Sequence, residues 1–87
     1  MMSVKKVLAQ AFVSIAVSID LADDEEIDPD VAVGLLEPAA AFFRGLTEEG
    51  RREVSSLILE CAEQEEDPER RSVILELPEA IGVADWS

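Results

Sequence analysis

No histidine and no tyrosine occur in this chain of 87 residues, and cysteine and tryptophan occur once each. The missing imidazole removes the usual base beside a Ser or Cys nucleophile and the commonest metal ligand. With Cys61 alone no intramolecular disulfide can form, which fits a reducing compartment. Four glycines are too few and too dispersed to form a phosphate-cradling loop. Cations are scarce too: seven Lys and Arg stand against twenty Asp and Glu, a formal net charge of −13. Binding a polyphosphate depends on Lys and Arg releasing counterions, so no direct contact with nucleic acid is expected, nor with an anionic membrane surface.

Long apolar runs are absent as well. Residues 7–19 form the nearest approach, but Gln10, Ser14 and Ser18 dilute the run, and it falls short of the ~20 residues that span a bilayer. Lys5 and Lys6 ahead of it resemble the start of a secretory signal, yet Asp20 would occupy a position that cleavage reserves for a small residue. The chain is read as cytoplasmic.

What is present is a hydrophobic share of 48 %, ordinary for a folded chain, and a length suited to one domain over residues 1–87. Val4, Val7, Leu8, Ala11, Phe12, Ile15, Ala16 and Ile19 recur at steps of three and four, which predicts a helix over about 3–20. Val13, Ile15, Val17 and Ile19 also alternate as in a strand, but seventeen residues exceed the usual strand length of about five or six. Lys5 and Lys6 sit at the positive end of this helix, where the dipole disfavours cations.

Asp28-Pro29 and Asp67-Pro68 each give a capping residue followed by proline, the order that opens a helix, and Thr47 before Glu48 and Glu49 opens another. The helix from Pro29 should run to Arg44, with Gly45 ending it in a left-handed turn. Pro38 should kink or split it near Glu37, and Leu35, Ala39, Phe42, Leu36, Ala40 and Phe43 should supply its buried side. The third helix carries Val54, Leu57, Ile58, Cys61 and Ala62 inward, with Cys61 buried among them. It carries Glu49, Glu53, Ser56, Glu60 and Glu63 outward as an acidic ridge. A fourth helix turns Val73, Ile74 and Leu77 inward until Pro78 stops or restarts it. The expected fold is all-α, a compact bundle of four to five short antiparallel helices.

The acids are unevenly placed. Residues 20–30 hold seven and residues 60–69 hold six, thirteen of the twenty. No register of the first run satisfies a calcium loop: from Asp24, the sixth position is Pro29 and the twelfth Leu35. No constellation for catalysis, no metal site and no cofactor motif is assembled, so the chain is not read as an enzyme. If the first and third helices run antiparallel to the second, the two clusters could meet at one end of the bundle. Such a patch is self-repelling, and a cationic partner relieves it.

Leu46-Thr47-Glu48-Glu49, then Arg51, Arg52, Val54, Leu57 and Ile58, Ala62, Glu65, Asp67-Pro68, Arg70, Arg71 and finally Leu77-Pro78-Glu79-Ala80-Ile81-Gly82 resemble small helical immunity proteins encoded beside bacterial polymorphic toxins. The resemblance covers residues 46–82. It implies a protein that binds one cognate toxin and blocks its active site or substrate groove, where an acidic inhibitor competes with a nucleic-acid backbone. The partner-binding residues expected are Asp23, Asp24, Glu25 and Glu26, assisted by Glu63, Glu65, Glu66 and Asp67, with Leu59 and Trp86 as apolar anchors. The alternative is a helical adaptor or homodimerising subunit whose acids serve solubility.

Overall fold

A computed structural model describes residues 3–23 and 25–84 of the chain. Four helices follow one another: α1 over Val4–Asp20, α2 over Pro29–Arg44, α3 over Glu48–Gln64 and α4 over Pro68–Ala80. No strand occurs among the described residues. Side chains ahead of each helix set its start. Ser3 Oγ accepts from the Lys6 amide at 3.1 Å, Asp28 Oδ1 from that of Asp30 at 2.9 Å, Thr47 Oγ1 from that of Gly50 at 3.0 Å and Asp67 Oδ1 from that of Glu69 at 2.9 Å. Each bond satisfies an amide that has no partner within the helix, while Pro29 and Pro68 stand where no amide hydrogen is required.

The helix ends depart from expectation. Gly45 closes α2 in the right-handed region, at φ −76°, because its amide reaches back to the carbonyls of Ala41, Phe42 and Phe43 without reversal. The left-handed glycine is Gly82, at φ 77°. A Cβ there would stand 2.9 Å from Arg44 Cγ, so both backbone and space call for glycine. Pro78 does not stop α4 either. It lies in the last turn, and its carbonyl accepts from the amides of Val83 and Ala84 at 2.9 and 3.0 Å. That turn carries Ile81 and Val83 into the core. Pro38 leaves α2 continuous, since its missing donor faces the carbonyl of exposed Gly34, which water can reach.

The core joins Val13, Ala16 and Val17 of α1 to Ile58 and Ala62 of α3 and to Ile74 and Leu77 of α4. Alanines at 16 and 62 remove side-chain bulk where the helices approach. α3 packs most closely on α4 and next on α1, whereas α2 rests mainly on α1. The Phe12 and Phe43 rings meet edge to face there, with centroids 4.9 Å apart. Along α1, successive residues meet later residues of α3: Lys5 pairs with Glu53, Lys6 with Glu60, and Ser14 shares a cleft with Gln64 and Glu65.

The buried faces of α1 and α2 differ from those expected. In α1, Val13 and Val17 are inside with Ala16, while Val4, Val7, Leu8, Ala11 and Ile15 are exposed. Leu36, Ala40 and Phe43 of α2 turn inward and Leu35 and Phe42 outward, Phe42 being 83 % exposed. Both segments are apolar nearly all round, so periodicity offers two stripes and tertiary packing selects one.

Pro38 is exposed, so replacing it removes no packing and restores a donor to the Gly34 carbonyl. Pro38→Ala is expected to raise stability by roughly 1–3 kcal/mol, read as a higher urea midpoint. An unchanged or lower midpoint would show that the proline ring itself holds α2 in place.

Candidate functional site

The acids from 20 to 30 form a turn held by backbone. The Asp23 carbonyl accepts from the amides of Glu26 and Ile27 at 2.8 and 2.9 Å, which leaves the side chains of Asp23, Glu25 and Glu26 exposed to solvent. Asp24 lies outside the described residues. Among the described residues the five ion pairs of the chain engage none of the acids in this turn. Asp28 has a structural task as the cap of α2.

The second cluster is differently bound. Glu65 Oε1 accepts from Arg70 Nε at 2.7 Å, and the Glu65 carbonyl accepts from both Nε and Nη2 of Arg71, Nε at 2.9 Å. Arg71 Nε also reaches the Ala62 carbonyl at 3.1 Å. These guanidinium contacts satisfy the last carbonyls of α3 and turn the chain into α4, where Asp67 caps the new helix. Of the residues expected to bind a partner, Glu65 and Asp67 therefore also hold the α3–α4 corner. Glu63 and Glu66 are exposed and free of that duty. Leu59 is 41 % exposed on the acidic ridge, whose members Glu49, Glu53, Ser56, Glu60 and Glu63 all face solvent. Trp86 lies outside the described residues.

The end of α3 flanks Gln10, Val13 and Ser14, and Asp20 stands about 9 Å further along the α1 axis from Ser14, so the ends of α1 and α3 are offset along that axis. The lysines at the start of α1 have a place in this geometry. Lys5 Nζ stands 2.9 Å from Glu53 Oε2 and Lys6 Nζ 4.0 Å from Glu60 Oε2, so each offsets its unfavourable position against the helix dipole by meeting the acidic ridge of α3. Such exposed pairs orient the helices more than they stabilise them.

Three of the clefts beside α3 lie against α1. One of about 520 Å³ is lined by Ser3, Lys6, Gln10, Leu57, Glu60, Cys61 and Gln64 and mixes polar and apolar surface. A second, about 220 Å³, lies between α1 and the α3–α4 corner. The third, about 250 Å³, is apolar, formed by Leu8, Phe12, Phe43, Val54, Leu57 and Ile58 with the Lys5–Glu53 pair at its rim. Cys61 is half-buried between the first two rather than sealed in the core. Burial pushes its thiol up from the ordinary value, and the neighbouring Glu60 carboxylate adds to that. Among the described residues no group of three or more acids and thiols could hold a metal ion, and no helix is long and apolar enough to cross a membrane.

The expectations did not include the apolar surface of the first two helices. Val4, Val7, Leu8 and Ile15 of α1 and Val31, Val33, Leu35 and Phe42 of α2 are exposed, against Leu59 and Leu75 on α3 and α4. One feature of the sequence marks this surface: residues 3–19 contain none of the twenty acids. No family model, curated protein or solved structure matches the chain.

Two outcomes follow from these environments. Arg70 holds the Glu65 carboxyl below the usual carboxylate range, chiefly by its side-chain hydrogen bond. A carboxylate with a depressed folded pKa stabilises the fold above its unfolded value, here about 4.5, and that contribution is lost as pH falls through the lower folded value. Glu65→Gln should therefore flatten the acid limb of the stability profile below about pH 4.5, measured by denaturant midpoints across pH; an unchanged acid limb would contradict the Arg70 pairing. Cys61 should react with a thiol reagent more slowly than a free cysteine at neutral pH, and Glu60→Gln should speed it; labelling at the free-cysteine rate would contradict its half-buried setting.

Proposed function

We propose that this protein is an immunity-type inhibitor, a non-catalytic helical protein that binds a cationic protein toxin in the cytoplasm and occludes its active site with an acidic surface. The observation that carries the reading is the turn of Asp23, Glu25 and Glu26, whose exposed carboxylates have no ion-pair partner among the described residues of a chain with net charge −13. Folding alone gains nothing from gathering like charges, and a basic partner converts that repulsion into attraction. The resemblance of residues 46–82 to toxin-neutralising proteins supports the same reading. A nuclease-like toxin suits it best, because the groove that accepts a phosphate backbone is basic and an acidic chain can stand in for the substrate.

In this reading the helices form an antiparallel bundle, and the turn, Glu63, Glu66 and Asp67 lie along one side of the path to the toxin. Leu59 and Trp86 supply apolar anchors. Glu65 contributes through the corner it builds with Arg70 and Arg71 as well as through its charge.

The test replaces Asp23, Asp24, Glu25 and Glu26 together by Asn and Gln, with the toxin encoded by the neighbouring gene as the ligand. The fold should persist, since the exposed side chains of Asp23, Glu25 and Glu26 make no ion pair among the described residues. Association with the toxin should slow by roughly 10-fold or more at low salt and lose part of its salt dependence. If the variant binds and protects as the parent does at both low and high salt, the acidic turn is only a solvated connection, and this reading fails.

A further inference from the structure

The outward side of α1 carries Val4, Leu8, Ala11, Ile15 and Ser18, at steps of four, three, four and three. All five are exposed, and they stand nearly opposite the buried Val13, Ala16 and Val17. Val4 is 75 % exposed, Leu8 64 % and Ile15 60 %. That spacing is the seam of a two-helix coiled coil, in which alternate three- and four-residue steps keep one stripe facing a partner helix. The hydroxyl at one end of the stripe is already satisfied, since Ser18 Oγ donates to the Ser14 carbonyl at 2.8 Å, so covering it strands no donor.

Charge identifies the occupant. The twenty acids are absent from residues 3–19, and α1 and α2 together hold three cations and three acids, Lys5, Lys6 and Arg44 against Asp20, Asp30 and Glu37. The whole excess of negative charge lies in the loop between these two helices and beyond residue 44. For a chain of net charge −13, α1 is thus the surface on which a second copy can approach with least repulsion. The same charges fix direction. A parallel pairing would place Lys5 and Lys6 beside their own counterparts and bring two acidic turns together. In an antiparallel pairing the two acidic turns lie at opposite ends of the seam, and the helix dipoles oppose.

We infer that α1 is a self-docking surface: two copies of this chain pair antiparallel through Val4, Leu8, Ala11, Ile15 and Ser18, with Ala11 at the two-fold axis. Leu8 of one copy lies near Ile15 of the other, and Val4 near Ser18. Alanine on the axis lets the two backbones approach closely. A seam of one helix is smaller than the ~800 Å² per partner of a standard interface, so the dimer forms in a concentration-dependent way. This pairing is independent of the inhibitor reading, which concerns the acidic turn and a different protein.

Sedimentation equilibrium of the full-length protein across micromolar to millimolar concentrations tests it. A monomer–dimer equilibrium is expected, and it should survive raised salt, which screens the repulsion between two acidic chains. The double substitution Leu8→Glu with Ile15→Glu should weaken self-association by on the order of 100-fold at unchanged helical circular dichroism. Leu75→Glu, at an exposed apolar position of α4, should leave it intact. In a Cys61→Ala background, Val4→Cys mixed with Ser18→Cys should give the mixed disulfide in preference to either self-linked product. A parent that stays monomeric throughout, or a Leu8/Ile15 variant that dimerises as the parent does, overturns the surface. Loss of the dimer in Leu75→Glu also overturns it. Val4→Cys that links mainly to itself overturns the antiparallel direction.

Discussion

Seven cations stand against twenty acids in this chain, and four of them lie where one helix meets another. Lys5 and Lys6 reach from α1 to Glu53 and Glu60 of α3, and Arg70 and Arg71 reach from α4 back to the end of α3. Elsewhere the same residue types act within a helix, Arg44 on Glu37 and Arg52 on Glu48. Repulsion grows with the number of like charges in a small volume, so the placement of the few opposite charges decides which elements can approach. The core then completes the packing of α1, α3 and α4, with Ile58, Ile74 and Leu77 filling the space beside Ala16 and Ala62. α2 lacks a cation that ties it to another helix among the described ion pairs, and it rests mainly on α1 through the Phe12–Phe43 contact.

Local chemistry was readable in advance wherever it depended on neighbours in the chain. Asp28-Pro29, Thr47-Glu48 and Asp67-Pro68 mark the helix starts because a cap bonds an amide two or three residues away, and nothing distant can redirect it. The choice of face was not readable for α1 and α2. Val13 and Leu8 are equally apolar, and only the position of α3 and α4 determines that Val13 is inside. Pro38 did not split α2, since water can satisfy the carbonyl it frees, and Gly45 ends the helix without the left-handed turn, which a glycine adopts where the chain must reverse, as at Gly82. The pairing of Lys5 and Lys6 with α3 was hidden because it spans about fifty residues of sequence.

For the candidate site, the sequence located the acids and marked Asp28 and Asp67 as caps, as the structure has them. It did not mark Glu65, half-buried at the α3–α4 corner against Arg70, because that contact depends on how α4 folds back on α3. Asp23, Glu25 and Glu26 are among the acids whose side chains make no ion pair, among the described residues, that would be lost on meeting a partner.

The division of charge along the chain also has a dynamic consequence. With α1 and α2 electrically balanced and the negative excess displaced toward the acidic turn, α3 and α4, the molecule carries a permanent dipole moment in addition to its net charge. In the field of a cationic surface such a body experiences a torque as well as an attraction, and it rotates while still separated by solvent. The acidic half then arrives first, and the apolar outer stripe of α1 trails on the side away from the surface.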